Sequence, residues 1–159
     1  MRHTSAAFVL ALTITACQPI KPPAPVAPRT STAISASFGR TWDAAIDAFA
    51  SRGISIETLD RSSGLIVPAG RTYVPNNAGV FGSVEDATKY ADCGSNVLGN
   101  AVRPASVKYN VVVRGDSTRS GVQVRAFYLP GADGRSCESR GLFESEAEAS
   151  IKAKAELPQ

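Results

Sequence analysis

The sequence predicts an α+β fold in which one antiparallel sheet packs against an N-terminal and a C-terminal helix. Residues 38–52 carry an apolar stripe at helical spacing, which predicts the first helix. The stripe consists of Trp42, Ala45, Ile46, Phe49 and Ala50. Strong helix formers predict the second helix over residues 142–156. Between them, residues 107–114 and 121–129 alternate apolar and polar side chains, as the two strands of a hairpin do.

Local signals place the elements of the N-terminal half. Ser37 is a suitable cap for the first helix, and Gly53 can end it because glycine readily adopts the left-handed conformation found after helices. Turn residues 60–64 separate two short apolar segments and predict a hairpin. The strands predicted in this half are residues 33–37, 54–59 and 65–67, with 71–74 as a continuation.

Glycine, proline and asparagine interrupt residues 75–105, so the sequence predicts an irregular stretch there. The one element expected in it is a short helical turn over residues 84–90. Regular alternation returns at the later hairpin, whose turn is residues 115–117. A single globular domain is therefore expected over residues 33–159.

The first sixteen residues indicate export. Arg2 and His3 give a short basic start, and Ala6 to Ile14 form an apolar run followed by small residues. A membrane-spanning helix takes about 20 apolar residues, so this shorter run indicates a secretory signal peptide over residues 1–16. The small residues directly before Cys17 resemble the lipobox of bacterial lipoproteins. That resemblance implies cleavage before Cys17 and lipidation of this cysteine, with palmitate among its acyl chains.

Residues 17–32 are predicted to hold the lipidated cysteine and a proline-rich linker. Five prolines fall within ten residues, namely Pro19, Pro22, Pro23, Pro25 and Pro28. This density favours an extended spacer of about 3.1 Å per residue that holds a domain away from the membrane. A ligand for a proline-recognising protein is the alternative.

Composition argues against several functions. The only histidine, His3, lies in the signal peptide, so the mature chain lacks the usual general base and zinc ligand. Once Arg2 is removed, 16 Lys and Arg residues stand against 14 Asp and Glu residues, without a basic stripe. We therefore expect no nucleic-acid partner, no metal and no cofactor.

The three cysteines have different predicted fates. If Cys17 carries lipid, Cys93 and Cys137 remain as an even pair in an oxidising compartment, where a disulfide is the default. A free nucleophilic thiol is the alternative, but the chain offers no histidine to activate one.

Two conspicuous motifs have simple structural interpretations. Trp42 could stack on a ligand, but its place in the apolar stripe favours a core position. The tripeptide Arg114-Gly115-Asp116 resembles an integrin-binding motif, whereas its residue types and position favour a hairpin turn. Neither motif is predicted to be a functional site.

The acidic group Glu144, Glu146 and Glu148 is the remaining candidate for chemistry. The first and last of these residues share a helix face, and no second acidic cluster pairs with them for glycoside hydrolysis or calcium binding. The sequence also lacks phosphate-loop and serine-hydrolase motifs. We therefore name no catalytic residue and expect a protein that is not an enzyme.

Residues 34–67 resemble the repeated helix-grip unit of the NlpB/BamC lipoproteins, accessory subunits of the outer-membrane β-barrel assembly machinery. The resemblance covers about a fifth of the chain, and this chain has one such unit where that family has two. The residues that carry it are Trp42, Ala45, Gly53, Asp60 and Gly64-Leu65-Ile66. It implies a helix-grip-like domain that acts in the cell envelope.

The expected function is that of a membrane-anchored lipoprotein that binds an envelope protein or assists envelope assembly. A periplasmic carrier or sensor of a lipid-like apolar ligand is the alternative, and it requires a cavity between helix and sheet. In lipoproteins of this kind an Asp after the lipidated cysteine retains the protein in the inner membrane. Gln18 stands there instead, so we expect the outer membrane with the domain in the periplasm.

Overall fold

The computed structural model describes residues 30–73, 84–131 and 136–158. The predicted signal peptide, Cys17 and most of the linker lie outside these residues. The helices are α1 (Phe38–Ala50), α2 (Val84–Tyr90) and α3 (Leu142–Ala155). The strands are β1 (Thr32–Ile34), β2 (Ile56–Asp60), β3 (Leu65–Pro68), β4 (Arg71–Thr72), β5 (Ala91–Asp92), β6 (Pro104–Gly115), β7 (Ser120–Pro130) and β8 (Glu138–Ser139).

The described strands form one antiparallel sheet of six and a separate pair. The large sheet has the order β1-β7-β6-β3-β2, and β4 pairs with the same edge of β6 as β3 does. The hairpin of β6 and β7 is its centre, since these two strands pair along almost their whole length. The predicted α+β fold is confirmed, with both long helices packed on the sheet.

Helix α1 buries one side on the sheet and another on α3. Ser37 caps it as predicted, because its hydroxyl accepts a hydrogen bond from the Arg40 N–H at 3.4 Å. Trp42 and Phe49 are buried, as the apolar stripe predicts, while Ala50 is exposed. Small residues beside the stripe are buried as well, namely Thr41, Ala44 and Ala48, and the Thr41 and Ser120 hydroxyls hydrogen-bond at 2.6 Å.

Aromatic rings fill the space between the helices and the sheet. The Phe143 ring of α3 stacks on the Tyr109 ring of β6, with centroids 4.7 Å apart. Phe49 of α1 meets Tyr109 edge-on at 5.9 Å and contacts Phe143 at 6.1 Å. Because all three side chains are at most 8% exposed, this cluster joins α1, α3 and the central strand into one core.

Several element boundaries differ from the prediction for local reasons. The first strand ends at Ile34, since the next residue, Ser35, donates its N–H to the Glu156 carboxylate at 2.8 Å. The second strand starts two residues late, because the Ile54 N–H still bonds to the end of α1, on Phe49 O at 3.0 Å. Strand β6 begins at Pro104, three residues before its predicted start.

The predicted disulfide between Cys93 and Cys137 is confirmed, with the two Cα atoms 4.0 Å apart. Strands β5 and β8, which the sequence did not predict, pair beside it. The helical turn over residues 84–90 forms as predicted and leads directly into β5. Among the described residues, none of the helices has the length and apolar character to cross a membrane.

Candidate functional site

The strands β6 and β7 present an open face opposite the helices. Their inward side chains are buried, whereas those that point away from the helices are exposed or half-buried. We call this surface the outer face and define it by five residues: Lys108, Asn110, Arg125, Phe127 and Leu129.

Cross-strand register places cations beside apolar side chains on the outer face. Lys108 lies directly opposite Phe127, and Asn110 lies opposite Arg125. Phe127 is 46% exposed and Leu129 39%, and the alternation predicts polar side chains at both positions. The two apolar side chains are neighbours on one face with polar side chains around them, so together they offer a small apolar contact surface.

A cleft opens beside the outer face, where β6 has no strand partner on its β3–β4 edge. Strand β3 pairs with β6 at residues 111–112 and β4 pairs at residues 106–107. Between these pairs the Ala69 N–H bonds to Ser55 O at 2.8 Å rather than to β6, and the chain returns to β6 at Gly70. No described strand therefore pairs with residues 108–110 on this edge.

The cleft has a volume of about 500 Å³ and is half open to solvent. Its wall is mixed in character, with backbone and hydroxyl groups next to charged side chains. Its polar and charged lining residues include Glu57, Arg71, Thr72, Ser106, Lys108 and Asn110.

Close backbone contact forms one side of the cleft. A methyl group added to Gly70 would lie 2.9 Å from the Val107 carbonyl oxygen, so the β3–β4 connection approaches β6 as only glycine allows. On the core side, Tyr109 is 3% exposed, and burial raises the pKa of its hydroxyl, with Tyr73 adding to the effect. The sheet itself therefore forms the floor of the cleft.

The charges of the cleft and the outer face are mainly positive. The Arg71 guanidinium donates to Arg52 O, which fixes it against the end of α1. Lys108 and Arg125 form no ion pair with any described residue. Glu57 is the only acidic side chain that lines the described cleft. An acidic group of a partner would therefore be attracted here.

The acidic group of α3 has a structural role that the sequence did not predict. Glu148 is 3% exposed, and its carboxylate accepts the Val124 N–H at 2.9 Å and the Thr32 hydroxyl at 2.6 Å. Glu144, also 3% exposed, accepts the Ala126 N–H at 3.3 Å and the Ser139 hydroxyl at 2.6 Å.

The Glu144 and Glu148 carboxylates take the place of a neighbouring strand along the edge of β7 that β1 does not reach. Strand β1 pairs only with residues 120–122 of β7, so the edge of β7 beyond them would present bare N–H groups. The Glu144 and Glu148 carboxylates cover that edge from the helix. Oε2 of Glu144 is buried without a hydrogen-bond partner among the described residues. Glu146 points outward, where it contacts the Lys89 ammonium at 3.2 Å.

The other sequence candidates are structural. Trp42 is 3% exposed, and its ring lies 5.8 Å from that of Phe38, with the Arg61 guanidinium over both rings at 5.7 Å. The Arg114-Gly115-Asp116 tripeptide begins the β6–β7 turn as predicted. There the Asp116 carboxylate accepts the Thr118 N–H at 2.7 Å.

The described residues contain no group of three or more His, Cys, Asp or Glu side chains placed to hold a metal. No binding residue in the domain was predicted from the sequence, and the outer face and the cleft are recognised from the structure alone. One signal for them was present: Phe127 and Leu129 occupy positions where the alternation of β7 calls for polar residues. No family model and no curated protein matches this sequence.

Proposed function

We propose that this protein is a membrane-anchored lipoprotein, not an enzyme, that binds an envelope protein or assists envelope assembly. The signal peptide, the lipobox-like Cys17 and the proline-rich linker support export, anchoring and a spacer. The resemblance to the NlpB/BamC lipoproteins, described above, is consistent with this role. The proposal places the domain in the periplasm, tethered to the outer membrane.

The outer face is the structural feature that most strongly supports a binding function. Phe127 and Leu129 remain exposed next to unpaired cations and a cleft. Burying such side chains against a partner would remove apolar surface from water at about 25 cal/mol per Å². Contact between a partner surface and the outer face therefore has a favourable hydrophobic contribution to its free energy.

The ligand-carrier alternative gains no support from the described residues. A carrier of a lipid-like ligand would need a cavity for it between helix and sheet. Phe49, Tyr109 and Phe143 fill that space with contacting rings. The cleft of about 500 Å³ instead lies at the β3–β4 edge of β6 and carries charged side chains.

Metabolic labelling with an alkyne analogue of palmitate tests the anchor. We expect the wild-type chain to take up the label and the Cys17→Ser variant to lose it. Fractionation then tests the location: the wild-type should enter the outer membrane, whereas Gln18→Asp should stay in the inner membrane. An unlabelled wild-type chain would contradict the lipoprotein assignment.

Cross-linking in intact cells tests the partner. An affinity-tagged copy, expressed at its natural level and treated with a membrane-permeant cross-linker, should yield one recurrent protein adduct. The matched control is the same tag on an unrelated outer-membrane lipoprotein. If both samples give the same proteins, or none, the binding function is wrong.

A further inference from the structure

We propose that the outer face and the cleft together bind an extended acidic segment of the partner protein, with a carboxylate in the cleft and an apolar side chain on Phe127 and Leu129. This inference rests on the proposed function and deepens it by naming the site and the chemistry of the partner.

The positive charges of the cleft and the outer face favour an acidic segment. Lys108 belongs to both the cleft and the outer face, and Arg71 also lines the cleft, with its guanidinium held on Arg52 O. Lys108 and Arg125 lack ion-pair partners among the described residues, so a carboxylate would meet cations that are not already neutralised. A basic segment would place like charges together, which is unfavourable.

The gap between β3 and β4 along the edge of β6 favours an extended peptide. Residues 108–110 lack a strand partner on the cleft side within the described chain, whereas their neighbours on both sides are paired. The hydroxyls of Ser106 and Thr72 and the amide of Asn110 surround this interruption. Hydroxyl and amide side chains of this kind can hydrogen-bond to the N–H and C=O groups of an extended chain.

The register of β6 and β7 gives the spacing of the partner's side chains. Lys108 and Phe127 are direct cross-strand neighbours, so their Cβ atoms lie about 5 Å apart. In an extended chain, residues i and i+2 point to the same side and are about 7 Å apart. A segment that crosses the two strands should therefore carry an acidic residue and an apolar residue two positions apart.

A membrane surface fits this site less well. Interfacial binding scales with the apolar area that enters the lipid, and the outer face offers only two large apolar side chains in its described residues. A recess of about 500 Å³ would also remain unfilled against a flat bilayer. A protein segment can occupy both the recess and the face.

Peptide binding tests the proposed chemistry. The full lipidated protein in detergent micelles is titrated into three fluorescein-labelled octamers, each a repeat of Ser-X-Ser-Leu with Glu, Gln or Lys at X. Fluorescence anisotropy should show the Glu peptide binding about tenfold or more tightly than the Gln peptide, and the Lys peptide weakest. Equal binding of all three, or of none, would overturn the proposal.

Matched variants localise the binding. Lys108→Glu should reverse the preference towards the Lys peptide, whereas Lys154→Glu makes the same charge change on the far side of the domain and should leave the order intact. Phe127→Ala should weaken the Glu peptide by about tenfold, and Leu157→Ala should not. If each control acts like its test variant, the site lies elsewhere. Circular dichroism of each variant checks that it is folded.

A photo-cross-linker separates this inference from the proposed function. Benzoylphenylalanine replaces Phe127 in one full-length copy and Leu157 in another, and both are illuminated in cells. The proposal expects the partner adduct from position 127 and not from 157. An adduct from 157 alone would leave the binding function standing and remove this site. A lipid adduct at 127 would overturn the protein-segment proposal.

Discussion

Removing the Glu148 carboxylate tests whether α3 completes the sheet. In Glu148→Ala, the Val124 N–H loses its acceptor at 2.9 Å and the Thr32 hydroxyl loses its acceptor at 2.6 Å. Val124 is fully buried, so its N–H cannot turn to water, whereas the half-buried Thr32 hydroxyl can. The cost therefore comes mainly from the Val124 amide.

The expected loss of stability follows from these two contacts. An unsatisfied buried donor costs about 1–3 kcal/mol, and a hydrogen bond to a charged group contributes about 1.5–3 kcal/mol. We therefore expect Glu148→Ala to lower the free energy of unfolding by about 3 kcal/mol. Glu148→Gln retains one carbonyl acceptor for the Val124 amide, so it should cost about 1 kcal/mol.

Urea unfolding followed by circular dichroism measures this effect. With a slope of about 1–3 kcal/mol per molar urea, the midpoint of Glu148→Ala should fall by about 1–3 M. Glu146→Ala is the matched control, because it removes a carboxylate from the same helix at an exposed ion pair, where losses are small. Amide exchange should accelerate at Val124 in Glu148→Ala only. If the two alanine variants unfold at the same midpoint, the carboxylate does not close the sheet.

Three further outcomes are expected. Replacing Cys93 and Cys137 by serine together should lower the free energy of unfolding by about 3–4 kcal/mol in urea titrations, because the bridge closes a separation of 44 residues. The pKa of Asp116 is lowered to about 2, chiefly by the Thr118 N–H. Thr118→Ala should raise the pKa of Asp116 part of the way to its ordinary value, because the hydrogen bond from the Thr118 hydroxyl is lost. Carboxyl NMR measures this pKa. Because this folded pKa is depressed, its stabilisation is complete above about pH 4 and is lost as the pH falls towards 2. Gly64→Ala should cost about 2–3 kcal/mol in the same titrations, since its φ is +68° and the new methyl would collide with the Val113 carbonyl oxygen. An unchanged urea midpoint would contradict that contact.

Local signals predicted most of the fold. The 84–90 turn and the β6–β7 hairpin follow from breakers and alternation, which act over a few residues. The apolar stripe correctly placed Trp42 and Phe49 in the core. Strands β5 and β8 were missed because two-residue strands have no period, and long-range contacts bring them together, among them the disulfide and the bond from the Arg140 N–H to Tyr90 O at 2.8 Å.

The burial of Glu144 and Glu148 could not be predicted from the sequence. Their spacing places both on one helix face, which a solvated face would show equally well. What buries them is the length of β1, three residues against eleven in β7, and this mismatch exists only after the sheet is assembled. The interruption at residues 108–110 has the same origin, since it depends on where β3 and β4 leave β6.

The protection of the two sheet edges argues for the cleft as the docking point. On β7, the carboxylates of Glu144 and Glu148 occupy the N–H groups to which an incoming strand would pair. On β2, a bulge between Ile56 and Thr58 and the exposed Glu57 oppose strand addition. A partner strand is disfavoured at both edges, whereas residues 108–110 have no strand partner on the cleft side within the described sheet. Binding of the acidic peptide should therefore slow amide exchange at residues 108–110 and leave β2 and the β7 edge unchanged.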